Sequence, residues 1–85
     1  MNTKERKEMN TLKKEFSHSV ETLYGVFRLK VVEAIEKEEE KAERLEEHFP
    51  GSSQQEQIEE DIENLEDTLS VFEEAVSMIT EVDDV

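Results

Sequence analysis

From residue 9 to residue 49 the chain reads MNTLKKEFSHSVETLYGVFRLKVVEAIEKEEEKAERLEEHF, and this stretch decides the fold. Its apolar side chains fall at Met9, Leu12, Phe16, Val20, Leu23, Phe27, Val31 and Ala34, then at Ala42, Leu45 and Phe49. The steps are 3, 4 and 4 throughout, and only Glu38 interrupts the series. An eleven-residue repeat of this kind has about 3.67 residues per turn, which is a helical period and not a strand period. It predicts one helix from about residue 3 to residue 48. Asn2, with Glu5 three positions later, is placed to cap its start.

Gly25 is the threat to that helix, since an interior glycine costs about 1 kcal/mol relative to alanine. Ser17 and Ser19 are also residues that cap a new helix. The apolar pattern nevertheless crosses Gly25 without a change of phase. The expectation is a continuous helix, bent there if anywhere, with three helices as the alternative.

Downstream the period changes. Ile58, Ile62, Leu65, Leu69, Phe72, Val76 and Ile79 follow alternating steps of 4 and 3, a heptad seam of the coiled-coil type. Ser53 with Glu56 fits a capping box, so a second helix is expected from about 54 to 81. The turn between, residues 49–53, holds Pro50 and Gly51. Proline disfavours helix in the residue before it, and glycine permits a tight reversal. Residues 1–85 therefore read as a single all-α domain, a long antiparallel helical hairpin.

If Leu45 faces Ile58, then Val31 faces Phe72 and Phe27 faces Val76, because paired numbers sum to about 103. On that register the second helix runs out opposite His18, leaving the first 17 residues to overhang. Apolar residues also stand off the seam: Val26, Leu29 and Val32 on the first helix, and Val71, Ala75, Met78 and Val82 on the second. Helices apolar on most sides are buried on most sides. The expected answer is a homodimer forming a four-helix bundle, its interface built from those seven residues with Met9, Leu12 and Phe16. A partner protein supplying the missing helices is the competing answer.

Composition narrows the function. The chain has 85 residues, 24 acidic against 10 basic, a net charge of -14, and no cysteine or tryptophan. Low hydrophobicity with high charge is the mark of a disordered chain, but the strict apolar periodicity argues for order. One domain is the limit at this length. Without cysteine there is neither a disulfide framework nor a thiolate metal site. No apolar run approaches the roughly 18 residues of a membrane span, and the polar stretch from Met1 to Lys14 is no signal peptide, so a cytoplasmic protein is expected.

Charge is unevenly placed. Residues 1–30 hold seven basic and four acidic side chains, whereas 31–85 hold three and twenty. Glu39, Glu40, Glu43, Glu46, Glu47, Glu59, Glu60 and Glu63 crowd both sides of the turn, off the apolar seam. Such a tip suits docking to a protein with a basic surface, because clustered charge speeds encounter and selects partners. Two alternatives also rest on charge. In one the carboxylates imitate phosphates and occupy the basic groove of a nucleic-acid-binding protein. In the other Lys4, Arg6, Lys7, Lys13 and Lys14 neutralise phosphates directly, opposed by the interleaved Glu5, Glu8 and Glu15. No membrane partner is expected, as no strongly basic border flanks the apolar face.

Nothing in the chain suggests catalysis. Glu15 and His18 have the Glu-x-x-His spacing of di-iron bundles, but lie about 100° and 160° from the centre of the seam, too far round for core ligands. His48 suits a helix C-terminus. There is no nucleophile–base set, no glycine-rich phosphate loop and no pocketed carboxylate pair. No cofactor, metal or small-molecule substrate is expected. Glu38 should reach water, Lys37 or Lys41 rather than stay buried and unpaired. The hairpin is broadly similar in shape to the secreted Trp-x-Gly hairpins and to secretion-needle subunits, but the turn holds neither Trp nor paired prolines. In composition the chain resembles small acidic phage proteins that disable a host enzyme. The expected function is a non-enzymatic interaction module that binds and modulates or inhibits another protein.

Overall fold

The computed structural model describes all 85 residues and contains two helices, α1 (Thr3–His48) and α2 (Ser53–Thr80). Helix α1 begins as its sequence dictates. The Asn2 Oδ1 accepts the Glu5 backbone N–H at 2.8 Å, and the Asn2 side-chain amide donates to the Glu5 carboxylate at 3.0 Å. It then runs unbroken through Gly25. A methyl group added at Gly25 would meet nothing within 4 Å, so the glycine serves no close approach within the chain.

The reversal uses Pro50 and Gly51, the latter at φ 75°, a left-handed conformation that glycine adopts without strain. The cap of α2 differs from expectation by one residue. Ser52, not Ser53, accepts the Gln55 N–H at 3.2 Å, and the Gln55 side-chain oxygen takes the Gly51 N–H at 3.2 Å. Both Ser52-Gln55 and Ser53-Glu56 have the capping spacing. Gln55 also closes the turn, and that second bond favours the earlier pair.

The two helices lie side by side in a body of 68 × 15 × 12 Å. Its radius of gyration is 19.9 Å, against about 12 Å for a compact chain of this length. A rod so thin encloses little: only Val31 and Ile58 are buried. All backbone hydrogen bonds lie within helices or between residues three or four apart at their ends, so none joins α1 to α2. The hairpin is held by its seam, by the Tyr24 hydroxyl donating to the Leu69 carbonyl at 3.4 Å, and by contacts of the C-terminal tail.

That tail corrects the expected overhang. Helix α2 stops at Thr80, and residues 81–85 run on beside α1. The Val85 N–H donates to Asn10 Oδ1 at 2.8 Å, and Lys13 Nζ donates to the Asp83 carbonyl at 2.8 Å. Non-helical backbone advances up to about 3.3 Å per residue against 1.5 Å in a helix, so five residues reach well beyond His18. Nine residues, not seventeen, extend past the last of these contacts. Phe27 shares a groove with Val76 as expected, but its ring stacks on Phe72.

Candidate interaction surfaces

Two surfaces stand out, one at each end of the rod. At the turn, all eight expected docking carboxylates, from Glu39 to Glu63, are exposed. The seam beneath them is thin, with Ala42, Leu45 and Ile62 half-buried around Ile58. Glu38 sits 2.9 Å from Lys41 Nζ, the pairing its place inside the apolar series called for. Lys41 is the sole base there that forms an ion pair, so the tip keeps most of its negative charge uncompensated.

The open end has the opposite character. Between the helices lies an open groove of about 450 Å³ whose lining is wholly apolar: Val20, Leu23, Tyr24 and Phe27 from α1, and Phe72, Ala75, Val76 and Ile79 from α2. A second hollow, bounded by Met9, Leu12, Phe16, Ile79 and Val82 among polar neighbours, continues it toward the N-terminus. Leu12, Phe16, Leu23, Met78 and Val82 are each between 57% and 70% exposed. Isolated exposed apolar residues are ordinary, but a contiguous row of them marks an interaction site.

Helical geometry sorts these residues by side. Residues eleven apart on α1 project in the same direction, so Leu12 lies above Leu23 and Phe16 above Phe27. These four fall within about 35° of one another round the helix. Val71, Ala75 and Met78 flank the groove on α2, Val82 follows just past its end, and no charged residue lines the groove itself. Of the ten expected interface residues, Met9, Leu12, Phe16, Val71, Ala75, Met78 and Val82 border this face, with Val26 at its margin. Leu29 is exposed on the far side of α1, and Val32 is half-buried on the opposite flank, so the structure does not gather them with the rest. Leu23, Phe27 and Phe72 belong to the face but were expected in the internal seam. The signal that identifies Leu23 and Phe27 is the eleven-residue pairing of Leu12 with Leu23 and of Phe16 with Phe27.

Glu15 and His18 are both exposed, and no group of three potential metal ligands occurs. No helix is long and apolar enough to cross a membrane. Compared with known proteins, the chain matches no family model, no curated protein and no solved structure.

Proposed function

We propose that this chain is a small, acidic, non-enzymatic interaction module, a cytoplasmic homodimer that binds a basic surface on another protein and modulates or inhibits it. The observation that carries the reading is the division of the rod into an apolar groove toward the open end and a largely uncompensated acidic tip at the turn. The apolar face supports self-association. Ten large apolar side chains on or bordering that face, from Met9 to Val82, are each more than a third exposed, on the order of 1,000 Å² in all, comparable with the ~800 Å² per partner of a standard interface. Two hairpins laid face to face form a four-helix bundle and give the Phe27–Phe72 stack the cover it lacks.

The tip supports recognition of a cationic partner, since it contributes little apolar packing and concentrates like charge on a rigid projection. Sedimentation equilibrium at micromolar concentration tests the first half and should return about twice the chain mass of 9.9 kDa. Affinity capture with the parent and with a tip-neutralised variant, Glu39, Glu43, Glu60 and Glu63 all changed to Gln, tests the second. The partner should be retained by the parent and lost with the variant.

A further inference from the structure

The row Leu12, Phe16, Leu23, Phe27 is a palindrome in an antiparallel sense. Its spacings are 4, 7 and 4, symmetric about a point between Ser19 and Val20. Laid against a second copy running the opposite way, with facing numbers summing to 39, Leu12 meets Phe27 and Phe16 meets Leu23. Every large ring then faces a branched aliphatic chain, and a single two-fold axis generates all four contacts. Of the four, Leu12, Phe16 and Leu23 are more than half exposed. The flanks agree. Glu8, Ser19 and Lys30 form the adjacent row at the same eleven-residue interval, and the same register brings Glu8 to within one residue of Lys30 of the second copy. Lys30 is 76% exposed in the side chain, with Glu33 at 4.0 Å as its one ion-pair neighbour, and Glu8 has none.

We infer that two hairpins dock α1 to α1 in opposite directions about an axis near Ser19, so that their acidic tips point away from each other. This rests on the dimer reading above and changes its geometry. Helix α2 lies beside residues 23–50 of α1, and the α2 of the mate lies on the other side of the axis, so each section of the dimer stacks the two α1 helices with one α2, three helices rather than four. The alternative, with both turns at the same end, stacks α1 on the α2 of its mate and leaves the palindrome unused. It also brings two tips together, each with thirteen acids against three bases between residues 36 and 66. Like charges a helix diameter apart repel, whereas tips separated by many Debye lengths do not. From the axis to the turn is about 30 residues of helix, which puts the two tips about 90 Å apart. The dimer is thus bivalent, able to hold two basic partners, or two sites on one extended partner, at opposite ends.

The chain has no cysteine, so a single Ser53→Cys change places one dye at each exposed turn. A mixture of donor- and acceptor-labelled S53C, dimeric by sedimentation, should show energy transfer below about a tenth, because the dyes sit about 85 Å apart. Strong transfer in a confirmed dimer overturns the opposed arrangement and leaves the dimer reading intact. A monomer in the same sedimentation run overturns both. Charge exchange provides the second test. Glu8→Lys alone and Lys30→Glu alone should each weaken the dimer about tenfold, as two symmetry-related pairs become repulsive. The double variant should restore it. Additive losses without restoration refute the register.

Discussion

Phe27 and Phe72 stack across the hairpin with ring centroids 5.3 Å apart and planes tilted at 43°, yet Phe72 remains 46% exposed. This is the only aromatic pair in the molecule, and it lies at the floor of the open apolar groove. In an isolated chain the stack is half wet. In a face-to-face dimer it is covered by the second chain. Phe27→Asp therefore sets a charge where a second hairpin should close, at a cost of about 2 kcal/mol or more. Circular dichroism melts over a range of concentrations should show the midpoint falling and its concentration dependence disappearing. A melt like the parent's would show that Phe27 is not part of the association surface.

Gly25→Ala should stabilise the fold. The site is mid-helix and exposed, and an added methyl group meets nothing within 4 Å. Alanine there gains about 0.5–1 kcal/mol through reduced backbone freedom in the unfolded state. Chemical denaturation gives the measurement. A lower midpoint would indicate that another chain approaches the backbone at this point.

The one-residue shift in the cap of α2 separates two serines that look equivalent in sequence. Ser52→Ala removes the oxygen that accepts the Gln55 N–H and should cost about 1 kcal/mol. Ser53→Ala, already inside the helix, should change stability by a few tenths at most. Equal losses for the two, read from denaturant midpoints, would contradict the observed cap.

Stability and recognition should part company at the tip. Changing Glu39, Glu43, Glu60 and Glu63 to Gln relieves repulsion worth tenths of a kcal/mol per pair and removes no apolar contact. The melting temperature should hold or rise slightly. Association with a basic partner, followed by stopped flow at two ionic strengths, should slow and lose much of its salt dependence. Unchanged on-rates at low salt would move recognition to the apolar open end.

What was legible in the sequence was what is local. The Asn2–Glu5 cap, the Pro-Gly reversal and the pairing of Glu38 with Lys41 involve residues within one turn of each other, and the unbroken α1 rests on a repeat of short steps, so spacing alone exposes them. The end of α2 was harder. Val82 and Val85 continue its apolar stripe, but Glu81, Asp83 and Asp84 bring negative charge to the negative end of the helix dipole, with no base in the last turn. That electrostatic mismatch is a reason for the helix to stop at Thr80 despite its pattern. The apolar face was legible only in part. Leu23, Phe27 and Phe72 satisfy an internal seam and an external surface alike, and periodicity cannot say how deeply a two-helix rod covers its own seam.

The hairpin's one aromatic contact lies far from its turn, and this bears on the order in which it closes. A hairpin usually zips from the turn, where the loop is short. Here the turn-proximal contact of Leu45 with Ile58 closes only about 13 residues, but it forms among crowded carboxylates. Phe27 with Phe72 closes about 45 residues, an added loop entropy of about 1 kcal/mol. The cheap first step is electrostatically opposed, and the rewarding one is entropically remote. Ions that shield the carboxylates ease the first step and leave the second untouched, so moderate salt should quicken refolding while changing the unfolding rate much less.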